Sequence, residues 1–458
     1  MKERKMKERV IFEKDDILSM IENKKLRQLK DYLSEMNGAD VAEIMDDLED
    51  HHLALLIFRL LPQKMASAVF SFLEISTQRA IVSAVNEEEL KNITEELYFD
   101  DMIDLIEEMP VEFVDRVLAN SKPEERALVN EFLKYPEDSA GSLMTIEYVS
   151  LNKNYTVGRA LDYLREVGLK KETIYSCYVV DNHDNLIGLV SLRTLVTADH
   201  NDKIEDIMLE DVIYVNTDDD QEYVADMFHK YGFIALPVVD NKNKLAGIIT
   251  FDDIMNVMEE EATEDFEKMA AMTPSETDYL ETSIFSLAKN RLPWLFILMI
   301  SATFTGGIIN HYIDLLGKFQ VLSTFIPMLM DTGGNAGSQS STLVIRSLAT
   351  GDVKTRDFGK VFMKEFGVSI VVGLALAIVN LARLMFFEKL SFIISITVCI
   401  TMVFTVMMAK IVGGLLPMVA KRFNMDPAIM AAPLITTIVD GCSMLIFFKV
   451  ASMILLRA

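Results

Sequence analysis

The sequence predicts a multi-domain protein of the α and α+β classes, with a cytoplasmic helical-hairpin domain, a tandem pair of βαββα units, a connecting helix and a five-helix transmembrane domain. Three observations predict this architecture. Apolar residues recur at helical spacing early in the 458-residue chain, a strand-and-helix pattern then occurs twice, and the remainder is apolar in stretches near the ~20 residues that span a bilayer. The predicted domains are residues 1–137, 138–200, 201–262, 263–288 and 289–458.

Charge divides the chain into two parts. The formal net charge is −25, and the excess of acids lies within residues 1–288, because residues 289–458 contain more Lys and Arg than Asp and Glu. An acidic field of this kind repels nucleic acid and concentrates cations. We therefore expect cations, and no nucleic acid, among the partners of the acidic part.

The first domain is predicted to be a stack of helical hairpins. Segments such as HHLALLIFRLLP (His51–Pro62) place apolar residues on one helical face. A weak repeat, LPQKMASAVF (Leu61–Phe70) and MPVEFVDRVL (Met109–Leu118), indicates units that bury their apolar faces by stacking. Asp100 and Asp104 lie four residues apart, so both carboxylates face one side of a helix.

An internal duplication identifies the next two domains. CYVVDNHDNLIGLVS (Cys177–Ser191) aligns without a gap to LPVVDNKNKLAGIIT (Leu236–Thr250). Each copy contains two apolar β-branched runs joined by a polar turn, and an amphipathic helix precedes each, at Val157–Val167 and Tyr223–Tyr231. The pattern predicts two βαββα units in tandem.

Five apolar stretches predict the transmembrane helices, and the Lys and Arg residues between them predict their orientation. The links after the second and fourth stretches are richer in Lys and Arg than the opposite loops. By the positive-inside rule these links, and the amino-terminal domains, are cytoplasmic, which predicts a multi-pass protein of the cell membrane. The stretches are Leu292–Tyr312, Val321–Ser347, Val361–Leu384, Phe392–Val419 and Pro427–Leu456.

Polar residues inside two of these stretches indicate an ion pathway. DTGGNAGSQSST (Asp331–Thr342) interrupts the second stretch, and such groups are tolerated at that depth only beside protein or a water-filled cavity. Asp440 lies inside the fifth stretch, near the hydroxyl of Thr436, and intramembrane acids are costly and usually functional. Since no Cys or His cluster accompanies it, a hard hydrated cation is the expected occupant.

The helix predicted at Asp252–Met272 is rich in acids, and other acids cluster at Phe99–Asp104 and Asp218–Glu222. A solvated surface is the simplest interpretation of one such helix. Several acidic clusters on apposed domains would repel one another, however, and Mg²⁺ held by one or two carboxylates and its own waters is a natural counter-charge.

Four segments together resemble the MgtE family of magnesium channels. They are PMLMDTGGNAGSQSSTLVIRSLATGD (Pro327–Asp352), AGSLMT (Ala140–Thr145), EEEATED (Glu259–Asp265) and DPAIMAAPLITTIVD (Asp426–Asp440), and the duplicated units resemble a tandem pair of CBS (cystathionine-β-synthase-type) domains. The resemblance implies a homodimer in the lipid bilayer, with a plug helix leading into five transmembrane helices and a pore between subunits. The second and fifth helices would line that pore.

The resemblance also implies the residues that bind ions. Asn256 occupies a position where the family pattern commonly has an acid. Family members can also have Asn immediately before the proline of the fifth helix, where this chain has Ala432, so Ala432 would offer an ion only its backbone carbonyl. The implied pore residues are Asp440, Thr436, Ala432, Asp331 and Asn335. The implied regulatory Mg²⁺ residues are Asp100, Asp104, Asp220, Glu222, Asp253, Glu261, Glu264, Asp265 and Asp426.

In CBS-type pairs an adenosine nucleotide can bind through a Ser/Thr-x-x-Asp motif. The first copy here, from Ser191 to Thr194, lacks the acid, which argues against ATP as a cofactor. If nucleotide does bind this copy, Ser191 and Arg193 are the residues expected to contact it.

The resulting hypothesis is a Mg²⁺-selective channel for passive influx, closed by cytosolic Mg²⁺ at the acidic domains. Transport of Co²⁺ and Mn²⁺ stays open. A divalent-cation carrier coupled to Na⁺ or H⁺ and a nucleotide-sensing membrane receptor are the alternatives. No phosphate-binding glycine loop or nucleophile–base pair is evident in the sequence, so we do not expect an enzyme.

Overall fold

The computed structural model describes residues 14–48, 50–94, 97–275, 279 and 282–456. The chain forms two compact units, Met1–Met258 and Glu259–Ala458. The first unit contains the helical domain and the two βαββα units, and the second contains the long apolar helices.

The amino-terminal domain is a stack of short helices, as predicted. Helix α3 packs against α5, α4 against α6, α5 against α7 and α7 against α9, so each of these four helices contacts the next but one. Pro62 and Pro110, the prolines of the weak repeat, immediately precede α5 and α9. The helices are α1 (Lys14–Glu22), α2 (Leu26–Leu33), α3 (Gly38–Asp46), α4 (His51–Leu60), α5 (Gln63–Ser71), α6 (Ile75–Ala84), α7 (Glu87–Thr94), α8 (Phe99–Glu108), α9 (Val111–Asn120) and α10 (Pro123–Phe132).

Two three-stranded sheets follow, and they confirm the predicted duplication. In each sheet the first strand pairs parallel with the second, and the second pairs antiparallel with the third. The register shifts at the same place in both copies, between Val179 and Val180 and between Val238 and Val239. The strands are β1 (Val149–Asn152), β2 (Ser176–Val180), β3 (Leu186–Ser191), β4 (Val215–Asn216), β5 (Ala235–Val239) and β6 (Leu245–Thr250).

Helices cover these sheets and then lead out of the second copy. The predicted amphipathic helices are present at Val157–Val167 and Gln221–Tyr231, and each buries one apolar face. Gly247 permits a close approach in the second copy, because a Cβ there would lie 2.7 Å from the carbonyl oxygen of Thr145. In chain order the helices are α11 (Ala140–Leu143), α12 (Val157–Val167), α13 (Leu192–Thr197), α14 (Ile204–Ile207), α15 (Gln221–Tyr231) and α16 (Phe251–Met269).

The predicted connecting helix, residues 263–288, is not a single helix. Helix α16 runs without a break from Phe251 to Met269, because no Gly or Pro interrupts it, and it crosses the predicted boundary at residue 262. Residues 270–275 and 282–283 are not helical, and the next helix begins at Ile284. The connecting segment is therefore divided between the end of one helix and the beginning of another.

Long helices make up the second unit. They are α17 (Ile284–His311), α19 (Ile326–Ala349), α20 (Phe358–Phe386), α21 (Phe392–Arg422) and α22 (Ala432–Leu455), with a short α18 (Ile313–Lys318) after the first. Among the described residues, four segments are long and apolar enough to cross a membrane, namely Ile284–His311, Thr355–Phe386, Phe392–Arg422 and Pro427–Leu455. Helix α19 has 24 residues and packs against α21 and α22, but it is more polar than those four.

Candidate ion pathway and acidic clusters

Helix α19 contains the polar stretch and has two different faces. Asp331, Asn335 and Gln339 follow one another at intervals of four residues, so they form a polar stripe that is exposed in the single chain. The opposite face, with Gly333 and Gly337, is buried against the neighbouring helices. The stripe borders an open groove of about 680 Å³ lined by Asn335, Ser338, Gln339, Thr342 and Leu343.

The glycines of α19 allow its backbone to approach α21 and α22 closely. A Cβ at Gly333 would lie 2.8 Å from Cγ2 of Thr405, and one at Gly337 would lie 2.7 Å from Cγ2 of Ile435. On α21, a Cβ at Gly413 would overlap the carbonyl oxygen of Gly337. Small residues thus fix the polar helix among apolar ones, as is usual for helices that pack in lipid.

Helix α22 contributes the predicted pore acid, Asp440, which is half-buried and interacts electrostatically with Asp331 of α19. Thr436 lies one turn earlier and packs against Gly334, whose Cβ would be 3.0 Å from Cγ2 of Thr436. The Thr436 hydroxyl donates to the Pro433 carbonyl at 2.9 Å, which leaves the hydroxyl lone pairs able to accept from a hydrated ion.

The remaining predicted pore residue, Ala432, is the first residue of α22 and follows a short 3-10 turn at Pro427–Met430. The hydroxyl of Ser341 on α19 donates to the carbonyl of Met430 at 2.7 Å, which ties the turn to the polar helix. The structure thus brings the two predicted pore helices, α19 and α22, together along their length.

A lysine lies among the predicted regulatory acids near the membrane helices. The Nζ of Lys268 on α16 is 2.8 Å from Oε1 of Glu264 and 2.9 Å from Oδ2 of Asp426, which caps the turn before α22. Burial opposes the charge of Lys268, but these two partners hold its pKa above the usual value. Burial, and next the charge of Asp426, raise the pKa of Asp265 beside them.

A second acidic cluster lies in the first unit, where α8 meets the start of α16. Asp100 is 9% exposed, and burial together with the charges of Asp253 and Asp101 raises its pKa to about 8. Burial and the charges of Asp252 and Asp253 raise the pKa of Glu172 to about 7. Within the described residues, Oδ1 of Asp100 and Oε2 of Glu172 are buried and have no hydrogen-bond partner.

The sequence identified Asp100 and Asp253 but missed their neighbours. Burial and the charges of Asp253 and Asp252 raise the pKa of Asp101 to about 6. Asp101 is adjacent to a predicted acid and could have been included on that ground. Glu172 follows a 3-10 turn in the first βαββα unit, and no local pattern places it near α8.

Other predicted regulatory acids have local structural roles or lie elsewhere on the same helices. Asp220 caps α15 by accepting from the backbone N–H of Glu222 at 3.0 Å. Asp104 lies one turn after Asp100 on α8, and Glu261 lies within α16. Among the residues that the structure describes, no three His, Cys, Asp or Glu side chains are close enough together to hold a metal ion directly.

The predicted nucleotide residues lie at the end of β3. The Ser191 hydroxyl caps α13 and lies 2.9 Å from Oγ1 of Thr194, and Arg193 is exposed. At the equivalent place in the second copy, the Thr250 hydroxyl donates to the carboxylate of Asp253 at 2.5 Å. A hydroxyl pair in the first copy thus corresponds to a hydroxyl and an acid in the second.

Comparisons with known proteins agree with this organisation. Family models match residues 36–138 as an MgtE intracellular N domain, 140–201 and 204–260 as CBS domains, and 326–450 as MgtE, a divalent cation transporter. The magnesium transporter MgtE of Thermus thermophilus is 36% identical over 94% of this chain and 95% of its own. That of Bacillus subtilis is 31% identical over 95% of this chain and 96% of its own.

Two solved structures resemble the first part of the chain. One is the cytosolic domain of the Mg²⁺ channel MgtE in complex with ATP, which is 35% identical with a TM-score of 0.51 and matches over 54% of this chain and all of that one. The other is the soluble part of a magnesium transporter, 30% identical with a TM-score of 0.50, covering 54% of this chain and 98% of that one. Since relatives match from the stacked helices through the membrane helices, this chain belongs to the MgtE family of transporters.

Proposed function

We propose that this protein is a channel through which Mg²⁺ enters the cell passively, and that cytosolic Mg²⁺ closes it by binding to the acidic clusters. The observation that carries the proposal is the exposed polar stripe of α19, with Asp331 close to Asp440, on helices that are otherwise apolar. Relatives over nearly the whole chain are named magnesium transporters, which supports Mg²⁺ as the ion.

Permeation would use a hydrated ion. Mg²⁺ gives up its waters reluctantly and is usually held by one or two carboxylates with several waters retained. Asp440 and Asp331 supply those carboxylates, while Asn335, the Thr436 hydroxyl and the Ala432 backbone carbonyl can accept from the ion's waters. The ion would be attracted without being bound so tightly that it cannot leave.

The polar stripe also supports a homodimer. In one chain the stripe and its groove are exposed on a helix that packs among apolar helices, and exposed amides and acids are costly against lipid. A second copy that presents the same stripe across a two-fold axis would enclose a polar path lined by both subunits. Hydrated Mg²⁺ would then cross the cell membrane between the subunits.

Regulation would come from the acidic clusters. The raised pKa of Asp100 and Glu172 means that their ionised forms are unfavourable without a counter-charge. A hydrated Mg²⁺ would remove that penalty and favour the conformation that brings the carboxylates together, which we propose to be the closed one. The acids proposed to take part are Asp100, Asp104, Asp220, Glu222, Asp253, Glu261, Glu264, Asp265 and Asp426.

ATP enters the proposal only as a modulator. The related cytosolic domain was solved with ATP, and the residues of this chain that the sequence suggests for nucleotide contact are Ser191 and Arg193. Because Thr194 replaces the acid that would meet the ribose hydroxyls, conduction and closure are proposed to occur without nucleotide.

The test is electrical recording from the purified full chain in a planar bilayer, with Mg²⁺ as charge carrier and its cytoplasmic concentration varied. Asp440→Asn removes the pore charge, and Asp314→Asn, an exposed acid on the short helix α18, is the matched control. We expect unitary Mg²⁺ currents that disappear at high cytoplasmic Mg²⁺. Asp440→Asn should reduce these currents or make them unselective, and Asp314→Asn should leave them unchanged. Mg²⁺ uptake that requires a Na⁺ or H⁺ gradient, with no unitary current, would instead identify a carrier.

A further inference from the structure

Helix α21 contains a buried lysine inside a predicted membrane span. Lys410 is 5% exposed, and its Nζ lies 3.5 Å from the carbonyl of Ala336, 3.5 Å from Oε1 of Gln339 and 3.4 Å from Oγ of Ser340. All three acceptors belong to α19, and an ammonium group has three donors. Among the described residues, no carboxylate lies within ion-pair distance of Lys410.

The counter-charge reaches Lys410 through a hydroxyl. Ser340 Oγ donates at 2.6 Å to Oε2 of Glu365, which belongs to α20, while the same oxygen accepts from Lys410. Gly414 makes room for the acid, because a Cβ at Gly414 would lie 2.8 Å from Cγ of Glu365. Lys410, Ser340 and Glu365 thus form a bridged pair of charges, which lowers the cost of burying either one.

The backbone around Lys410 holds it in place. Helices α19 and α21 approach each other closely beside it, where a Cβ at Gly337 would lie 3.2 Å from the carbonyl of Ala409 and where Gly413 contacts Gly337. The ammonium therefore has little freedom to move away from α19.

Gln339 connects this buried group to the polar groove. Its side chain lines the groove beside Asn335 and Ser338, while its Oε1 accepts from Lys410. An ammonium can only donate, so Lys410 must take the oxygen of the carboxamide, and the NH₂ group is directed elsewhere. Cations such as Mg²⁺ bind through oxygen, and a carboxamide oxygen that already accepts from an ammonium is a weaker ligand for them.

We propose that Lys410 is a positioning residue that weakens the Gln339 oxygen as a ligand for cations in the groove. The inference rests on the proposed conduction of Mg²⁺ along α19. An additional oxygen ligand would make the ion bind more tightly and leave more slowly, and rapid conduction needs weak binding. Lys410 therefore keeps the binding of Mg²⁺ weak beside Gln339, while Asp331 and Asp440 attract the ion.

Lys410→Met tests the proposal by unitary current as a function of Mg²⁺ concentration. We expect the half-saturating Mg²⁺ concentration to fall about tenfold, the order of magnitude of one contact to a charged group, together with a lower maximal current. A purely structural role would change the open probability or thermal stability but not this saturation curve. Lys410→Arg, which keeps a cationic donor, should restore at least part of the wild-type behaviour.

Two further variants keep the test decisive. If Lys410→Met alone does not fold because Glu365 loses its counter-charge, Lys410→Met with Glu365→Gln removes both charges and should show the same tighter saturation. In a Gln339→Leu background the Lys410→Met shift should disappear, because no oxygen is left to release.

An unchanged saturation curve in folded Lys410→Met protein would overturn the role of Lys410. A full shift that persists with Gln339→Leu would also overturn it, since charge alone would then explain the effect. Wild-type protein without Mg²⁺ current would overturn the proposed function and this inference together, whereas wild-type current with unaltered variants overturns only the inference.

Discussion

The acidic cluster around Asp100 predicts that Asp100→Asn stabilises the protein at alkaline pH when Mg²⁺ is absent. Asp100 is buried on α8, its Oδ1 has no hydrogen-bond partner among the described residues, and Asp253 and Asp101 add negative charge beside it. An amide of nearly the same shape removes the unfavourable charge. The variant should therefore separate the electrostatic cost of the cluster from its packing.

The pKa of Asp100 sets the size and sign of the effect. Burial and nearby acids raise that pKa from 3.8 to about 8, so the folded state binds the proton more tightly than the unfolded state. The stability contributed by this group is complete below pH 3.8 and is lost as the pH rises through about 8. At about 1.4 kcal/mol per pKa unit, ionised Asp100 costs on the order of 6 kcal/mol above that pH.

The buried amide needs partners of its own, so we expect Asp100→Asn to recover only about 2 kcal/mol of the unfolding free energy at pH 9 in EDTA. For a domain of this size that corresponds to a rise of roughly 4 to 8 °C in Tm. Below pH 4 the gain should vanish or reverse. Calorimetry of the full chain in detergent measures both, with Asp31→Asn, an exposed acid on α2, as control.

Mg²⁺ provides the decisive comparison. It should raise the Tm of wild-type protein at pH 9 by more than that of Asp100→Asn, because the variant has lost both a ligand and part of the repulsion that the ion relieves. Equal stabilisation of the two proteins by Mg²⁺, or a lower Tm for the variant at pH 9 in EDTA, would refute this account of the cluster.

Three further predictions concern other parts of the chain. Lys268→Met frees the two carboxylates that Lys268 bridges. In bilayer recordings the cytoplasmic Mg²⁺ concentration that half-closes the channel should therefore fall by about threefold or more, which is the effect of one ion pair. A rise in that concentration would contradict competition between Lys268 and Mg²⁺. Gly413→Ala overlaps a carbonyl of α19 and should lower Tm and abolish Mg²⁺ uptake, whereas Gly359→Ala, with open space around it, should affect neither. Asp220→Ala should lower the free energy of unfolding by about 1 kcal/mol through loss of the α15 cap, which is measured as a lower Tm in EDTA. If the variant also made channel closure less sensitive to Mg²⁺, Asp220 would have a regulatory role besides capping.

Much of the fold could be predicted because its signals are local. The duplication in residues 177–191 and 236–250 predicted both sheets, and apolar length predicted the membrane helices. Hydropathy alone does not identify helix α19 as a membrane span, because its polar stripe makes it less apolar than the other four long helices. Its glycines and amides, interpreted as groups facing protein or water, were the more useful signal.

The acidic clusters were only partly predictable. Glu264 and Lys268 lie four residues apart on α16, so their ion pair follows from helical spacing alone. The second partner of Lys268, Asp426, lies far along the chain, and Glu172 reaches the cluster around Asp100 through the fold of the first βαββα unit. Such contacts depend on tertiary packing, which no local pattern specifies.

Lys410 was missed although the sequence contained a signal for it. The rule that identified Asp440, that an ionisable residue inside a membrane span is costly, applies equally to a lone lysine between Phe392 and Val419. Only acids were considered, because acids are the side chains that bind cations, so Lys410 was not selected. Its partners, Ser340 and Glu365, come from two other helices and could not have been assigned without the structure.

The acidic sites should differ in their affinity for Mg²⁺, because a lysine is paired with one of them. At Glu264 and Asp426 one tethered ammonium already pairs with both carboxylates, so Mg²⁺ would have to displace Lys268 in order to bind there. Among the described residues, the charges that act on Asp100 are those of other acids, so Mg²⁺ would compete there with protons rather than with a paired lysine. Because displacing a paired cation costs more than relieving repulsion, the cluster around Asp100 should fill first as cytosolic Mg²⁺ rises, and the site at Lys268 should fill only at higher concentration. Closure would then extend over a wider range of Mg²⁺ concentration than a single site could cover, and Lys268 would set the upper end of that range.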